Sequence, residues 1–260
     1  MDNLPVLIAV IAGLAVLAGL AWFARYQMGL RRVTDALVEA EEAVDAGEVE
    51  RARELVAPLL SRFPKLPVVQ EVAADVLYAG GDPLSAASLW ESAMKRLGAP
   101  RVAPRLVAAY TALNRPGDAR RVAQLVPDDA LARITLAWCE LAAIGGDRER
   151  GRVLAHQIAR DAAIRGTTSG DAMASALEAI VAALAGEHDA MRAALDRAAA
   201  RGAELMPHER AFIGYLLGVA LREAGLVEDA RATWTLAVDA APDTIGSALA
   251  RRERSHLPAT

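Results

Sequence analysis

The feature that most constrains this chain is a turn that recurs along it at a nearly fixed spacing. Glycine followed by an acidic residue occurs at Gly47, Gly81, Gly146 and Gly186, with weaker copies at Asn114 and Gly225. The steps are 34 residues from 47 to 81, 33 to 114, 32 to 146, 40 to 186 and 39 to 225. Such a period, with apolar helical segments beside each turn, is typical of helical-repeat arrays. These arrays present long grooves, so the pattern favours recognition over catalysis.

The composition is typical of closely packed helices. Apolar residues form 54% of the 260-residue chain, but aromatic residues form only 4%. Small side chains suit helices better than sheets, which favour β-branched and aromatic residues. The formal net charge is −4, and no basic stripe is present to neutralise phosphates. We therefore expect no nucleic-acid partner.

Residues 1–29 predict a membrane anchor and a juxtamembrane segment. Residues 4–23 form an apolar run of 20 without a charge. A helix of that length spans about 30 Å, the thickness of the hydrocarbon core of a bilayer. We expect a transmembrane helix that contacts the lipid bilayer through residues 4–24. A cleaved signal peptide is the alternative, but an acidic residue precedes the run and no small-residue cleavage site follows it.

The charges beside the apolar run predict its orientation. Arg25, Arg31 and Arg32 follow the run, whereas only the α-amino group precedes it. The positive-inside rule then keeps the C-terminal part of the chain in the cytoplasm. We expect a single-pass protein of the bacterial inner membrane with a cytoplasmic repeat domain. The reverse topology, with a periplasmic repeat domain, stays open.

The repeats predict an all-α fold. In the second repeat Val69, Val72 and Val76 share one helix face, Gly81 ends that helix and Asp82 caps the next one. The same logic over residues 30–242 predicts an α-solenoid of about six helical hairpins. Residues 243–260 predict a charged capping helix and a frayed tail. The two steps near 40 indicate insertions in the middle repeats.

The pattern resembles the tetratricopeptide repeat family. The last repeat matches its small residue, turn glycine, alanines and closing proline at Gly218, Gly225, Ala230, Ala237 and Pro242. The first two repeats match at Ala40, Gly47, Ala52, Pro64, Ala74, Gly81, Ala86 and Ala93. The middle repeats depart from it at Asn114, Gly151 and Met191. With its N-terminal span, the chain is similar to single-pass, membrane-anchored bacterial proteins of this family, which bind other proteins.

The resemblance also implies a binding groove. In the family, side chains on the first helix of each hairpin line the concave face. The corresponding positions here are Glu71, Asp75, Tyr78, Arg133, Glu140, Ile144, Met173, Ile180, Leu184, Phe212, Tyr215, Val219 and Arg222. An apolar helix or strand of a partner would suit the C-terminal part of this set. Alternatively, these side chains pack against the following repeat or the terminal helix.

The sequence carries no motif for catalysis or metal binding. Cys139 is the single cysteine, and no two of the four histidines are four residues apart. No nucleophile elbow, phosphate loop or His-Glu-x-x-His motif occurs. We therefore expect no catalytic residue, no metal and no cofactor.

The predicted function is that of a scaffold or adaptor at the cytoplasmic face of the inner membrane. It would recruit or assemble partner proteins, among them components of membrane complexes. One alternative is a periplasmic chaperone-adaptor near the secretion machinery, and another is a structural subunit of a larger membrane complex. The sequence does not indicate the oligomeric state.

Overall fold

The computed structural model describes residues 31–257, and this part of the chain consists of helices and turns without a strand. The first helix in it, α1, covers residues 31–45. The others are α2 (Val49–Arg62), α3 (Pro67–Ala79), α4 (Pro83–Leu97), α5 (Ala99–Ala112), α6 (Pro116–Ala123), α7 (Ala130–Ala142), α8 (Arg148–Ala159), α9 (Ala162–Arg165), α10 (Thr168–Ala185), α11 (His188–Gly202), α12 (Pro207–Glu223), α13 (Val227–Ala240) and α14 (Ile245–His256). The predicted all-α fold is confirmed for these residues.

The helices pack in a solenoid-like series of hairpins. Between residues 31 and 240 the hairpins are α1–α2, α3–α4, α5–α6, α7–α8, α10–α11 and α12–α13. The first helix of one hairpin also packs against the next hairpin, as α5 does against α7 and α10 against α12. The short α9 is an extra element between the fourth and fifth hairpins. It contributes to the longer step between their turns.

Five of the hairpin turns share one backbone geometry. The backbone dihedral φ is positive at Gly47, Gly81, Asn114, Gly186 and Gly225. In each turn the next N–H bonds to the carbonyl five residues earlier, as Asp82 N–H does to the Leu77 oxygen at 2.9 Å. The fourth turn differs by one position, because Gly145 and not Gly146 has the positive φ, of 79°. The turn predicted at Gly146 therefore lies one residue earlier, at Gly145. Gly146 instead packs closely, because a Cβ on it would lie 2.6 Å from the Glu140 carbonyl oxygen.

Large aromatic residues fill the space between closely packed helices, as the repeat pattern predicts. Trp90, Trp138 and Trp234 are buried. Trp234 lies against Gly218, where an added Cβ would come within 2.2 Å of the indole Nε1. That nitrogen donates to the Tyr215 carbonyl oxygen at 3.0 Å. A small residue at position 218 is therefore required by contact with the second helix of its own hairpin.

The series curves until its end meets earlier hairpins. Helix α14 packs on α12 and α13 and extends toward the second and third hairpins. A Cβ on Gly81, in the α3–α4 turn, would lie 3.0 Å from the Cβ of Ala248. Arg252 Nη1 donates to the carbonyl oxygen of Ala112, at the end of α5, at 2.6 Å. The helix that the sequence predicts as a terminal cap thus also joins the last hairpin to the second and third hairpins.

Between residues 31 and 257, no helix has both the length and the apolar character that crossing a bilayer requires. The transmembrane helix predicted for residues 4–24 lies outside the described residues.

Candidate functional site

Aromatic side chains fill the middle of the inner space that the curved series encloses. Trp138 of α7 and Phe212 of α12 meet edge to face, with ring centroids 5.3 Å apart. Tyr215 lies one turn further along α12, with its centroid 5.6 Å from that of Trp138. We call these three residues the aromatic cluster. It leaves two separate cavities, because Phe212 lines one and Trp138 and Tyr215 line the other.

The first cavity, of about 580 Å³, combines acidic and apolar side chains. The first helices of the hairpins α1–α2 to α12–α13 all contribute to it. Its charged side chains are Glu41, Asp45, Asp75, Glu209 and Arg105. Four carboxylates against one guanidinium give this lining a formal charge of −3, with His208 counted as neutral. The larger apolar side chains are Val44, Tyr78, Trp90, Leu131, Met173, Phe212, Ile213 and Ile245. We call it the acidic cavity.

Asp75 is the most buried of these carboxylates. Its side chain is 17% exposed and forms an ion pair with Arg105, with Oδ1 and Nε 3.0 Å apart. The pKa of Asp75 is raised to about 7, chiefly by burial; Arg105 opposes the shift, and the nearby Glu71 and Glu41 add to it. Arg105 also pairs with Glu71 at 3.0 Å, so one guanidinium serves two carboxylates. The negative charge here is incompletely neutralised.

Two carboxylates at the edge of the acidic cavity have no cationic partner among residues 31–257. Glu41 and Asp45 are exposed, and neither forms an ion pair or a hydrogen bond in that range. They lie four residues apart on α1 and so share one helix face. Neither residue was predicted as part of a site from the sequence, although their spacing beside the first turn was a signal for them. Glu209 also went unpredicted, and its Oε2 accepts the Met206 N–H at 3.3 Å.

The second cavity, of about 540 Å³, has charges that are paired with one another. Arg148 lies 3.2 Å from Glu223, and Arg222 lies 2.7 Å from the same carboxylate. Arg222 also pairs with Glu253 of α14. We call it the paired-charge cavity. Because each carboxylate already has a guanidinium partner, its lining offers less uncompensated charge than the acidic cavity.

Cys139 lies at the wall of the paired-charge cavity but is not a candidate nucleophile. The residue is fully buried, and burial raises the pKa of its thiol to about 11. A thiol attacks as its thiolate, and this pKa leaves very little thiolate at neutral pH.

The predicted groove residues do not form one continuous surface. Four of them line the acidic cavity: Asp75, Tyr78, Met173 and Phe212. Three line the paired-charge cavity: Ile144, Tyr215 and Arg222. Ile144 is 85% exposed, at the outer edge of that cavity. The aromatic cluster separates the two groups.

The other predicted groove residues are engaged within the protein. Ile180 and Val219 are fully buried, and Leu184 packs against the same core. Glu71 is 2% exposed and pairs with Arg101 at 2.6 Å, and Arg133 pairs with Asp161 at 2.7 Å. These positions face neighbouring hairpins, so they are not available to a partner.

Glu140 is the most completely buried charged residue of the predicted set, with an exposure of 0%. Arg120 Nε and Nη2 donate to its two oxygens at 2.5 and 2.6 Å. The Asp147 N–H donates to Oε2 at 2.8 Å, which ties α7 to the start of α8. Glu140 lies on the first helix of its hairpin, as the groove prediction requires. Its carboxylate, however, pairs with Arg120 of the third hairpin and so connects the third and fourth hairpins.

Residues 31–257 contain no group of three or more histidine, cysteine, aspartate or glutamate side chains that could hold a metal ion. The acidic cavity combines scattered carboxylates with apolar surface. Neither a scan against protein-family models nor a search of curated proteins gives a match to this chain.

Proposed function

We propose that this chain is a membrane-anchored repeat protein of the tetratricopeptide class that binds segments of other proteins in the acidic cavity. The anchor is the apolar run of residues 4–24, and the repeat domain is cytoplasmic. The protein recruits or assembles partner proteins at the inner membrane. The arginines that follow the run support this orientation, and the recurring left-handed turns support the repeat class.

One observation carries the proposal: the first helices of successive hairpins converge on one open, acid-lined and partly apolar cavity. Most of its side chains come from the first helices α1, α3, α5, α7, α10 and α12, and Trp90 of α4 and Ile245 of α14 complete it. No single hairpin could form such a surface, since each exposes only one helix face to it. A cavity of about 580 Å³ has room for a few side chains of a partner segment, not for a folded domain.

Site-specific photocrosslinking in native membranes tests this proposal. A photoreactive phenylalanine analogue replaces Met173, which lines the acidic cavity. The control carries the same analogue at Leu84, a 64% exposed residue of α4 outside both cavities. We expect discrete adducts with partner proteins from position 173 and not from position 84. Equal adducts from both positions, or none from 173, would refute binding in this cavity.

A second candidate function is that of a fixed structural subunit of a membrane complex. The aromatic cluster favours it, because a filled centre leaves less inner surface for exchanging partners than an open groove would. This function predicts that the chain co-purifies at constant stoichiometry with the same neighbours. A reporter fused after Thr260 separately tests the side of the membrane on which the repeat domain lies.

A further inference from the structure

The partner that fits the acidic cavity can be described more closely, on the assumption that this cavity binds protein. We infer that it takes an extended segment in which lysine or arginine side chains alternate with apolar ones. The basic side chains pair with Glu41, Asp45 and Asp75, and the apolar ones lie on Tyr78 and Phe212.

The charge of the cavity favours a basic partner segment. Its lining has four carboxylates and one guanidinium, and that guanidinium is already shared between Asp75 and Glu71. Glu41 and Asp45 have no cationic partner in residues 31–257. Bringing a cation to such a lining relieves repulsion among the carboxylates, whereas an acidic segment would add to it. The charge therefore selects basic side chains.

A buried donor also lies beside the same carboxylates. Trp90 is 1% exposed and contributes to the cavity wall, and its Nε1–H has no hydrogen-bond acceptor at normal distance among the described residues. The indole faces Asp75. It lowers the pKa of that carboxyl, but less than any of the other groups that affect it. A buried donor without an acceptor is unfavourable. Among the described residues Asp75 therefore depends on Arg105 as its close partner, and a basic side chain of an entering segment would add the cation that the cavity lacks.

The apolar surface of the cavity favours apolar side chains in the same segment. Tyr78 of α3, Met173 of α10 and Phe212 of α12 all contribute to this surface. Aromatic rings offer both apolar contact and an attractive face for a cation. Alternating basic and apolar side chains can meet both kinds of surface, because neighbouring side chains of an extended segment point in opposite directions.

Fluorescence anisotropy with three labelled dodecapeptides tests the inference on the full-length protein in nanodiscs. The first alternates arginine and leucine, the second glutamate and leucine, and the third arginine and serine. We expect the arginine–leucine peptide to bind most tightly of the three. Its affinity should decrease as the salt concentration increases. Equal binding of the glutamate–leucine peptide would overturn the inference, and so would complete displacement by an equal concentration of spermidine.

Matched variants locate the binding. In Glu41→Gln/Asp45→Asn we expect the arginine–leucine peptide to bind about three- to tenfold more weakly, the range for two partly exposed ion pairs. The control is Glu149→Gln/Glu228→Gln, which removes two carboxylates whose side chains are each 67% exposed and which lie outside both cavities. Its affinity should equal that of the wild type. An equal loss in both variants would mean that only the net charge of the protein attracts the peptide.

The pH dependence adds a second readout. The charged and titratable groups that line the cavity with Asp75 or act on its pKa are Glu41 and Asp45 on α1, Glu71 and Tyr78 on α3, Arg101 and Arg105 on α5, and His208 and Glu209 on α12. Because the pKa of Asp75 is about 7, its carboxyl takes up a proton as the pH falls from 8 to 6. Affinity for the arginine–leucine peptide should fall over the same range. An affinity that rises toward pH 6 would contradict pairing with Asp75.

The crosslinking at position 173 separates failure of this inference from failure of the proposed function. If position 173 captures partner segments that lack a basic residue, and the arginine–leucine peptide does not bind, the protein binds partners but the inferred chemistry is wrong. If position 173 captures nothing and no peptide binds, both are wrong.

Discussion

Trp138 and Phe212 meet edge to face in the centre of the curved helical series, with ring planes at 83° and centroids 5.3 Å apart. They belong to α7 and α12, in the fourth and last hairpins. Their contact closes the middle of a space that would be an open groove in a less curved series. The partly apolar Phe212 surface that remains accessible faces the acidic cavity.

Replacing Phe212 by alanine should destabilise the fold. The ring packs on Trp138 and Tyr215, and truncation leaves a cavity in the aromatic cluster. Because Phe212 is half-buried, we expect the free energy of unfolding to fall by about 2 kcal/mol, below the range for fully buried phenylalanines. Urea unfolding measures it. Ile144→Ala, at an 85% exposed site, should change it by less than about 0.5 kcal/mol, and equal effects would contradict the packing role.

Replacing Gly218 by alanine should also destabilise the fold, by overpacking. The added Cβ would lie 2.2 Å from Trp234 Nε1, so the indole or the backbone must move. We expect a loss of about 1–3 kcal/mol in the free energy of unfolding. The matched control is Gly117→Ala in α6, where no atom lies within 4 Å of the new Cβ. That variant should be unchanged or more stable by up to about 1 kcal/mol. A stable Gly218→Ala protein would disprove the close contact.

Glu140 should be a structural residue whose loss weakens the join between the third and fourth hairpins. Glu140→Ala leaves Arg120 and the Asp147 N–H without their acceptor in a buried place. Removing one member of a buried ion pair typically costs about 3 kcal/mol. Thermal and urea unfolding should show such a loss. For comparison, Glu149→Ala removes an exposed pair with Arg152 and should cost less than about 1 kcal/mol. Equal stability of the two variants would assign Glu140 no structural role.

The raised pKa of Asp75 predicts that the free energy of unfolding depends on pH. The pKa of its carboxyl is raised from 3.8 to about 7 in the folded protein. Its ionisation therefore opposes folding, with no cost below about pH 4 and the full cost above pH 7. Asp75→Asn removes this cost. One pKa unit corresponds to about 1.4 kcal/mol, so the gain over wild type should approach about 4 kcal/mol at pH 8.

Urea unfolding at pH 4, 6 and 8 measures the effect. The stability difference between Asp75→Asn and wild type should grow with pH up to about 7 and then level off. Asp128→Asn, at an exposed site in the loop before α7, serves as the control and should show no such trend. A difference that shrinks as the pH rises would mean that the Arg105 pair outweighs the burial of Asp75.

The local elements could be predicted because their causes are local. Gly81 and Gly225 are at left-handed turns that disfavour most other residues, and Asp82 caps α4 through the Ser85 N–H at 3.0 Å. The burial of Trp90 and Trp234 also followed from the repeat pattern. The fourth turn was misplaced by one residue because the sequence signal, glycine followed by an acidic residue, selects Gly146. In the structure Gly145 has the positive φ, and Gly146 packs against the Glu140 backbone.

The candidate site could be predicted only in part. The groove positions identified the correct helices, and Asp75, Tyr78, Met173 and Phe212 do line one cavity. The same rule also selected Ile180, which is fully buried. Matching a residue to a position of the family predicts which helix face points inward. It does not predict how much space remains between that face and the neighbouring helices.

The amino-acid sequence by itself determined that the chain forms helices joined by recurring turns and which small and large residues pack within a hairpin, since these depend on residues close together in the chain. Only the tertiary structure decided how far the series curves. That curvature sums small angles between stacked hairpins and is held by distant contacts such as Arg252 to the Ala112 carbonyl. It brings Trp138 to Phe212, fills the centre, and leaves the carboxylates of α1 and α3 around one cavity.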